Sequence, residues 1–94
     1  MVVTIKLPSV FAALAEDQKR IQMDLDGETF LESVLDLLAG KYPELKQAAG
    51  IGQGDIPDHV NVYHNGDNVR YLQGLKTPLR NGDTVQIIPA VAAG

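Results

Sequence analysis

Arg80-Asn81-Gly82-Asp83-Thr84-Val85-Gln86-Ile87-Ile88-Pro89-Ala90-Val91-Ala92-Ala93-Gly94 reads as a turn, a buried strand and a slender tail. Asn81-Gly82-Asp83 supplies the positive-φ chemistry of a tight turn. Thr84 to Ile88 is β-branched at four of five positions, the composition of a central strand. Pro89 has no N–H to give a ladder, so pairing is expected to fail at or just beyond it and the chain to leave the sheet. The chain divides accordingly into a domain over 1–89 and a flexible tail over 90–94. The tail residues Ala90, Val91, Ala92, Ala93 and Gly94 carry no charge and no hydrogen-bonding side chain, whereas ends that merely fray are normally polar. Such narrow side chains let an extended tail enter a partner's slot and present the carboxylate of Gly94.

The rest of the chain supplies the sheet that this strand would complete. Val2 to Leu7 alternates Val3, Ile5 and Leu7 with Thr4 and Lys6, and Arg20 to Leu25 alternates Ile21, Met23 and Leu25. A loop in which Phe11 and Leu14 tuck inward joins the two runs into an antiparallel hairpin. A helix is predicted from Thr29 to Ala39: Thr29 and Glu32 have capping-box spacing, and Gly40 suits a left-handed C′ position. Its Leu31, Val34, Leu35 and Leu38 fall at i, i+3, i+4 and i+7 as one apolar stripe. Tyr42-Pro43-Glu44-Leu45 reads as a short helical turn, and Gly50, Gly52 and Gly54 as a loop without an element. Val60 to His64 is a strand, Asn65-Gly66 a hairpin turn, Asn68 to Leu72 a short strand or edge segment, and Leu75 to Leu79 a tight 3₁₀-like corner. The order β-β-α-β-β-β lets the last strand lie parallel to the first in the middle of a mixed sheet, with the helix across one face: an α+β domain.

Composition narrows the function. At 94 residues and 45% hydrophobic content the chain is one small domain with one core. With no cysteine there is no disulfide framework, thiolate metal site or side-chain thiol nucleophile. A net charge of −4 with interspersed signs gives no basic stripe for nucleic acid and no cationic helix for a membrane. The lack of cysteine and of an opening segment of export type makes the cytoplasm the expected location. Gly50-x-Gly52-x-Gly54 has neither dinucleotide nor Walker spacing. His59 and His64 are five apart across a strand, so they are expected to face opposite ways as solvated side chains, with no bound metal. Asp24, Asp26 and Glu28 cluster at a turn with nothing apolar to raise a pKa. The terminal carboxylate is the remaining reactive group. A carboxylate becomes an electrophile only when activated, for example as an acyl-adenylate, so the chain is expected to be the substrate of a partner enzyme that uses ATP, not an enzyme or a cofactor-binding protein itself.

Val60-Asn61-Val62-Tyr63 with Asn65-Gly66, Val69-Arg70-Tyr71-Leu72, Gly74-Leu75, Thr77-Pro78-Leu79, Asn81-Gly82-Asp83-Thr84-Val85 and Ile87-Ile88-Pro89-Ala90-Val91-Ala92 resemble the ThiS/MoaD family of ubiquitin-like sulfur carriers, particularly its CysO-type branch. The resemblance implies a β-grasp fold and a C-terminal Gly94 that an E1-like enzyme adenylates and a sulfur donor converts to a thiocarboxylate. It further implies that the sulfur goes into cysteine through a pyridoxal-phosphate synthase; MoaD relatives serve molybdopterin and ThiS relatives the thiamin thiazole. The small subunit of molybdopterin synthase, acting with its large subunit, is the alternative inside the family, and an interaction module without carrier activity is the alternative outside it. The family tail ends in two glycines; here Ala93 precedes Gly94, and its β-carbon widens the tail and disfavours positive φ. The exposed side of the sheet is the expected docking surface, with Ile88 and Val91 as apolar contacts and Arg70, Lys76 and Arg80 as rim charges. The residues alone leave open which of Ile87 and Ile88 faces outward.

Overall fold

The computed structural model describes residues 1–90. Its elements are β1 (Val2–Lys6), α1 (Ser9–Ala12), β2 (Arg20–Asp24), β3 (Thr29–Phe30), α2 (Leu31–Lys41), α3 (Pro43–Ala49), β4 (Val60–His64), β5 (Asp67–Asn68), 3₁₀ turns at Val69–Tyr71 and Gly74–Lys76, β6 (Pro78–Leu79) and β7 (Thr84–Pro89). The five-stranded sheet has the order β2-β1-β7-β4-β5, and β3 pairs with β6 in a separate ribbon. β7 lies parallel to β1, with Ile5 opposite Val85, and antiparallel to β4, with Val62 opposite Ile87. The C-terminal strand is therefore the centre of the sheet, as its β-branched composition implies.

Alternation along the strands sends Val3, Ile5, Ile21, Val60, Val62, Val85 and Ile87 to one face, where all are buried. α2 covers that face with Leu31, Val34, Leu35 and Leu38, each at most 1% exposed. Full burial of each such side chain contributes about 1.5–3 kcal/mol, so this contact is one of the largest local sources of stability.

The start and end of the helix differ from the expectation. Thr29 is no N-cap: Phe30 takes that position without a side-chain cap, and Thr29 and Phe30 pair with Leu79 and Pro78. The Leu31 N–H donates to the Thr77 carbonyl, and Glu32 accepts from Lys76 Nζ, so long-range partners replace the local box. Gly40 is helical. The helix runs on to Lys41 and seats Tyr42 in the core, where its hydroxyl accepts from Gln18 Nε2 at 2.8 Å.

Where only a turn was expected, α3 runs for seven residues from Pro43 and buries Leu45 and Ala49. The glycine loop after it is packed. Gly50 adopts φ 68° as the left-handed C-cap of α3. A β-carbon on Gly52 would stand 2.6 Å from Ala39 Cβ, so that glycine permits close contact with α2. Val69–Tyr71 is a 3₁₀ turn, and the strand expected there is confined to Asp67–Asn68.

Candidate functional site

The outer face of the sheet carries Thr4 and Lys6 from β1, Asn61 and Tyr63 from β4, and Thr84, Gln86 and Ile88 from β7, all partly exposed. The ambiguity at the end of the chain is thereby resolved: Val85 and Ile87 point inward, and Ile88 points outward, opposite Asn61 in the register. Tyr63 and Lys6 both lie opposite Gln86, so an apolar side chain and an aromatic one share a face otherwise made of polar groups. Tyr63, Asn61 and Gln86 were not among the residues expected on the docking surface, although the period-2 alternation of β4 and β7 places them there.

Main-chain pairing does not stop at Pro89, the last residue of β7. The Ala90 N–H donates to the His59 carbonyl at 2.8 Å, and the Asp83 carbonyl accepts from Thr4 at 3.0 Å. By ladder alternation, odd-numbered residues of β7 direct their main-chain groups to β1 and even-numbered ones to β4. The missing N–H of Pro89 thus falls on the β1 side, beyond the end of β1 at Lys6, where no ladder bond is lost. Pairing continues one residue past the proline. Val91, Ala92, Ala93 and Gly94, which the sequence assigns to the tail and its reactive end, lie outside the described residues.

The three cations expected to rim one surface do not come together. Arg70 lies on the side from which Ala90 leaves: its Nη2 donates at 2.7 Å to both the Pro57 and Val60 carbonyls. Arg80 sits at the opposite end of β7, against a shallow cleft of about 560 Å³ that also includes Leu72, Gln73, Thr77 and Pro78. Lys76 pairs with Glu32 at the start of α2 and stands 5.6 Å above the Phe30 ring, away from the outer face.

At that opposite end His64, expected to be solvated, is instead held in a clamp. Its Nε2 donates at 2.7 Å to Asp83 Oδ2, and the proton is on Nε2 because a carboxylate only accepts. Asp83 also accepts from Asn65 Nδ2 at 3.0 Å and from the Arg80 N–H at 2.8 Å. Burial pushes the Asp83 carboxyl up, but the bonds from His64, Asn65 and Arg80, with the His64 charge, outweigh it and hold the group below its ordinary value. His59, at the other end of β4, donates to the Ala48 carbonyl at 3.1 Å, so the two histidines serve separate elements. Among the described residues, no group of three or more His, Asp or Glu side chains could hold a metal ion. None of the helices described is long and apolar enough to cross a membrane.

Comparison with known proteins agrees with this architecture. The model of the ThiS family matches residues 6–94. Small archaeal modifier protein 3 of Haloferax volcanii is 38% identical over 77 residues, covering 82% of this chain and 83% of that protein. A putative sulfur carrier protein of Archaeoglobus fulgidus is 33% identical over 98 residues, covering the whole of both. Among solved structures, a chain of the Amycolatopsis orientalis BexX/CysO complex superposes with a TM-score of 0.81 at 26% identity, covering 98% of this chain and 99% of that one. Sheet order, central parallel pair, crossing helix and a family match reaching Gly94 converge: the chain belongs to the ThiS family and has its ubiquitin-like β-grasp fold.

Proposed function

We propose that this protein is a sulfur carrier whose Gly94 carboxylate is the reactive group. The carboxylate attacks the α-phosphorus of ATP in an E1-like partner and pyrophosphate leaves. Hydrosulfide-level sulfur then attacks the acyl carbon, the bond to AMP breaks, AMP leaves, and a thiocarboxylate forms. The carried sulfur passes to an acceptor enzyme, and synthesis of cysteine is the favoured destination. The observation that carries this reading is that the family match runs through the uncharged, narrow residues after β7 to Gly94. The chain's own part is positional. β7, fixed between β1 and β4, sets Ala90 on the Arg70 side of the domain as the point from which the reactive end departs, and the outer face around Ile88 and Tyr63 supplies the surface on which the activating enzyme docks, with Val91 as a further apolar contact. Arg70 is the charge best placed to meet that enzyme; Arg80 and Lys76 serve other surfaces.

The 38% identity to a modifier protein supports a second reading. In it the same activated carboxylate is joined to an amine of another protein. Both readings share the adenylation step, and intact mass separates them. Incubation with ATP, a sulfur source and the activating enzyme is expected to raise the mass by the difference between sulfur and oxygen. Covalent adducts with other proteins and no such gain would favour the modifier. Neither product, with the enzyme active on another carrier, would overturn the shared step.

A further inference from the structure

The two edges of the five-stranded sheet are finished differently. On one side β5 extends the ladder over only two residues, and beyond them Arg70 plugs the open rim of β4 at the Val60 carbonyl. On the other side β2 keeps an unbroken register with β1 from Arg20 to Asp24 and has no outer partner among the described residues. The Leu7 N–H donates to Lys19 and the Leu25 N–H to Met1, so odd-numbered residues of this strand face β1. The N–H and C=O groups of Arg20, Gln22 and Asp24 therefore point away from the sheet. Edge strands are commonly protected by a proline, a bulge or an inward-turned charge. β2 has none of these, and Ile21 and Met23 hold its inward positions. Beside it runs a groove of about 380 Å³ between β2 and α2, lined by Met23, Leu25, Lys41 and Leu37, the last of these 52% exposed.

The charges along this edge match their own reversal. Lys19 and Arg20 stand at one end, Asp24, Asp26 and Glu28 at and beyond the other, and neutral Gln22 lies midway. We propose that β2 pairs antiparallel with β2 of a second copy of this chain about a two-fold axis at Gln22. Arg20 then stands opposite the partner's Asp24 in a hydrogen-bonded pair with Cα atoms about 5.5 Å apart, and symmetry repeats the pair. Ile21 meets the partner's Met23 on the inner side, along the groove beneath Leu37. Moving the axis one residue sets Arg20 or Asp24 against the partner's neutral Gln22, and moving it two sets Arg20 against the partner's Arg20 or Asp24 against the partner's Asp24, so only the axis at Gln22 gives two opposite-charge pairs. β1 separates this edge from β7, and the outer face around Ile88 stays free.

A pair of short strands buries less than the roughly 1,200 Å² of a lasting interface, so the dimer is weak and concentration-dependent. Sedimentation equilibrium of the full chain up to about 1 mM, the range of such weak contacts, reads it directly. The unmodified chain is expected to self-associate. R20D and D24R alone each turn both opposite-charge pairs into like-charge pairs and weaken association at least about tenfold. An equimolar mixture of the two variants is expected to regain it, because the substituted charges then face each other. Thermal melting monitors the fold of each variant, and both side chains are exposed. A chain that stays monomeric throughout this range, single variants that associate like the parent, or a mixture that stays monomeric would each overturn the proposal.

Discussion

β7 is held very differently at its two ends. Where it begins, Asp83 accepts three hydrogen bonds, and Asn65 adds two more to the main chain of Thr84, at 2.8 Å from its N–H and 2.9 Å to its carbonyl. Where it ends, the bond from Ala90 to His59 is the last rung among the described residues, and the five residues from Ala90 to Gly94 contribute no hydrogen-bonding side chain. Among the described residues, the side-chain hydrogen bonds made to β7 and the turn before it gather at the end that hands nothing on. A strand clamped at its origin and fixed along both sides gives whatever follows Ala90 a defined point of departure, which is what a substrate tail needs from its body.

The largest effect is expected at the far end, and it leaves the body intact. Deleting Gly94 retracts the carboxylate by about 3.5 Å. Near-attack geometry loses roughly a hundredfold for a displacement of about 1 Å, so adenylation is expected to fall at least that far while the melting temperature stays unchanged. A truncated chain activated at the parent rate would show that the tail end is not the reacting group. Ala93→Gly is expected to preserve or raise the rate, since it narrows the tail and removes the β-carbon that disfavours positive φ.

Leu35→Ala tests the body. Leu35 is 1% exposed beneath the sheet, and its truncation is expected to cost about 2–5 kcal/mol in chemical denaturation. A loss under about 1 kcal/mol would place the main packing elsewhere than α2.

The clamp comes next. Asp83→Asn leaves His64 and neighbouring donors with a poorer acceptor and is expected to cost about 1–3 kcal/mol. Its pH signature follows from the lowered folded pKa. The carboxylate binds protons more readily in the unfolded chain, so its stabilisation is fully present above the ordinary value of 3.8 and is lost as pH falls below it through the folded value. The variant is expected to lack this acid limb; an identical limb in both proteins would assign it to other groups. Smallest of all is Lys76→Ala. Lys76 is exposed in its pair with Glu32, so stability is expected to change by no more than about 1 kcal/mol.

What the sequence disclosed follows the range of the interactions. Period-2 runs in β1, β2, β4 and β7, the stripe from Leu31 to Leu38 and the Asn65-Gly66 turn are local patterns, and they placed the sheet, its parallel central pair and its main helix. The capping box failed because Thr29 and Glu32 found partners at Leu79 and Lys76, about fifty and forty-four residues away in sequence, beyond the reach of any local rule. Gly40 did not end α2 because Tyr42 continues the apolar stripe of Leu35 and Leu38 into the core, a spacing that was legible and outweighed the glycine. The separation of Arg70, Lys76 and Arg80 onto three surfaces depended on how two 3₁₀ turns and β6 fold back. No charge pattern encodes that.

The central claim is that activation happens at Gly94 and is measured from the end of β7. ATP–pyrophosphate exchange with the activating enzyme, comparing the chain with one extended by a single residue, tests it most directly. The extension carries the carboxylate about 3.5 Å past its place and leaves the fold untouched, so exchange is expected from the unmodified chain and at least about a hundredfold less from the extended one. Equal exchange by both, or exchange by neither alongside an enzyme active on another carrier, would contradict the account.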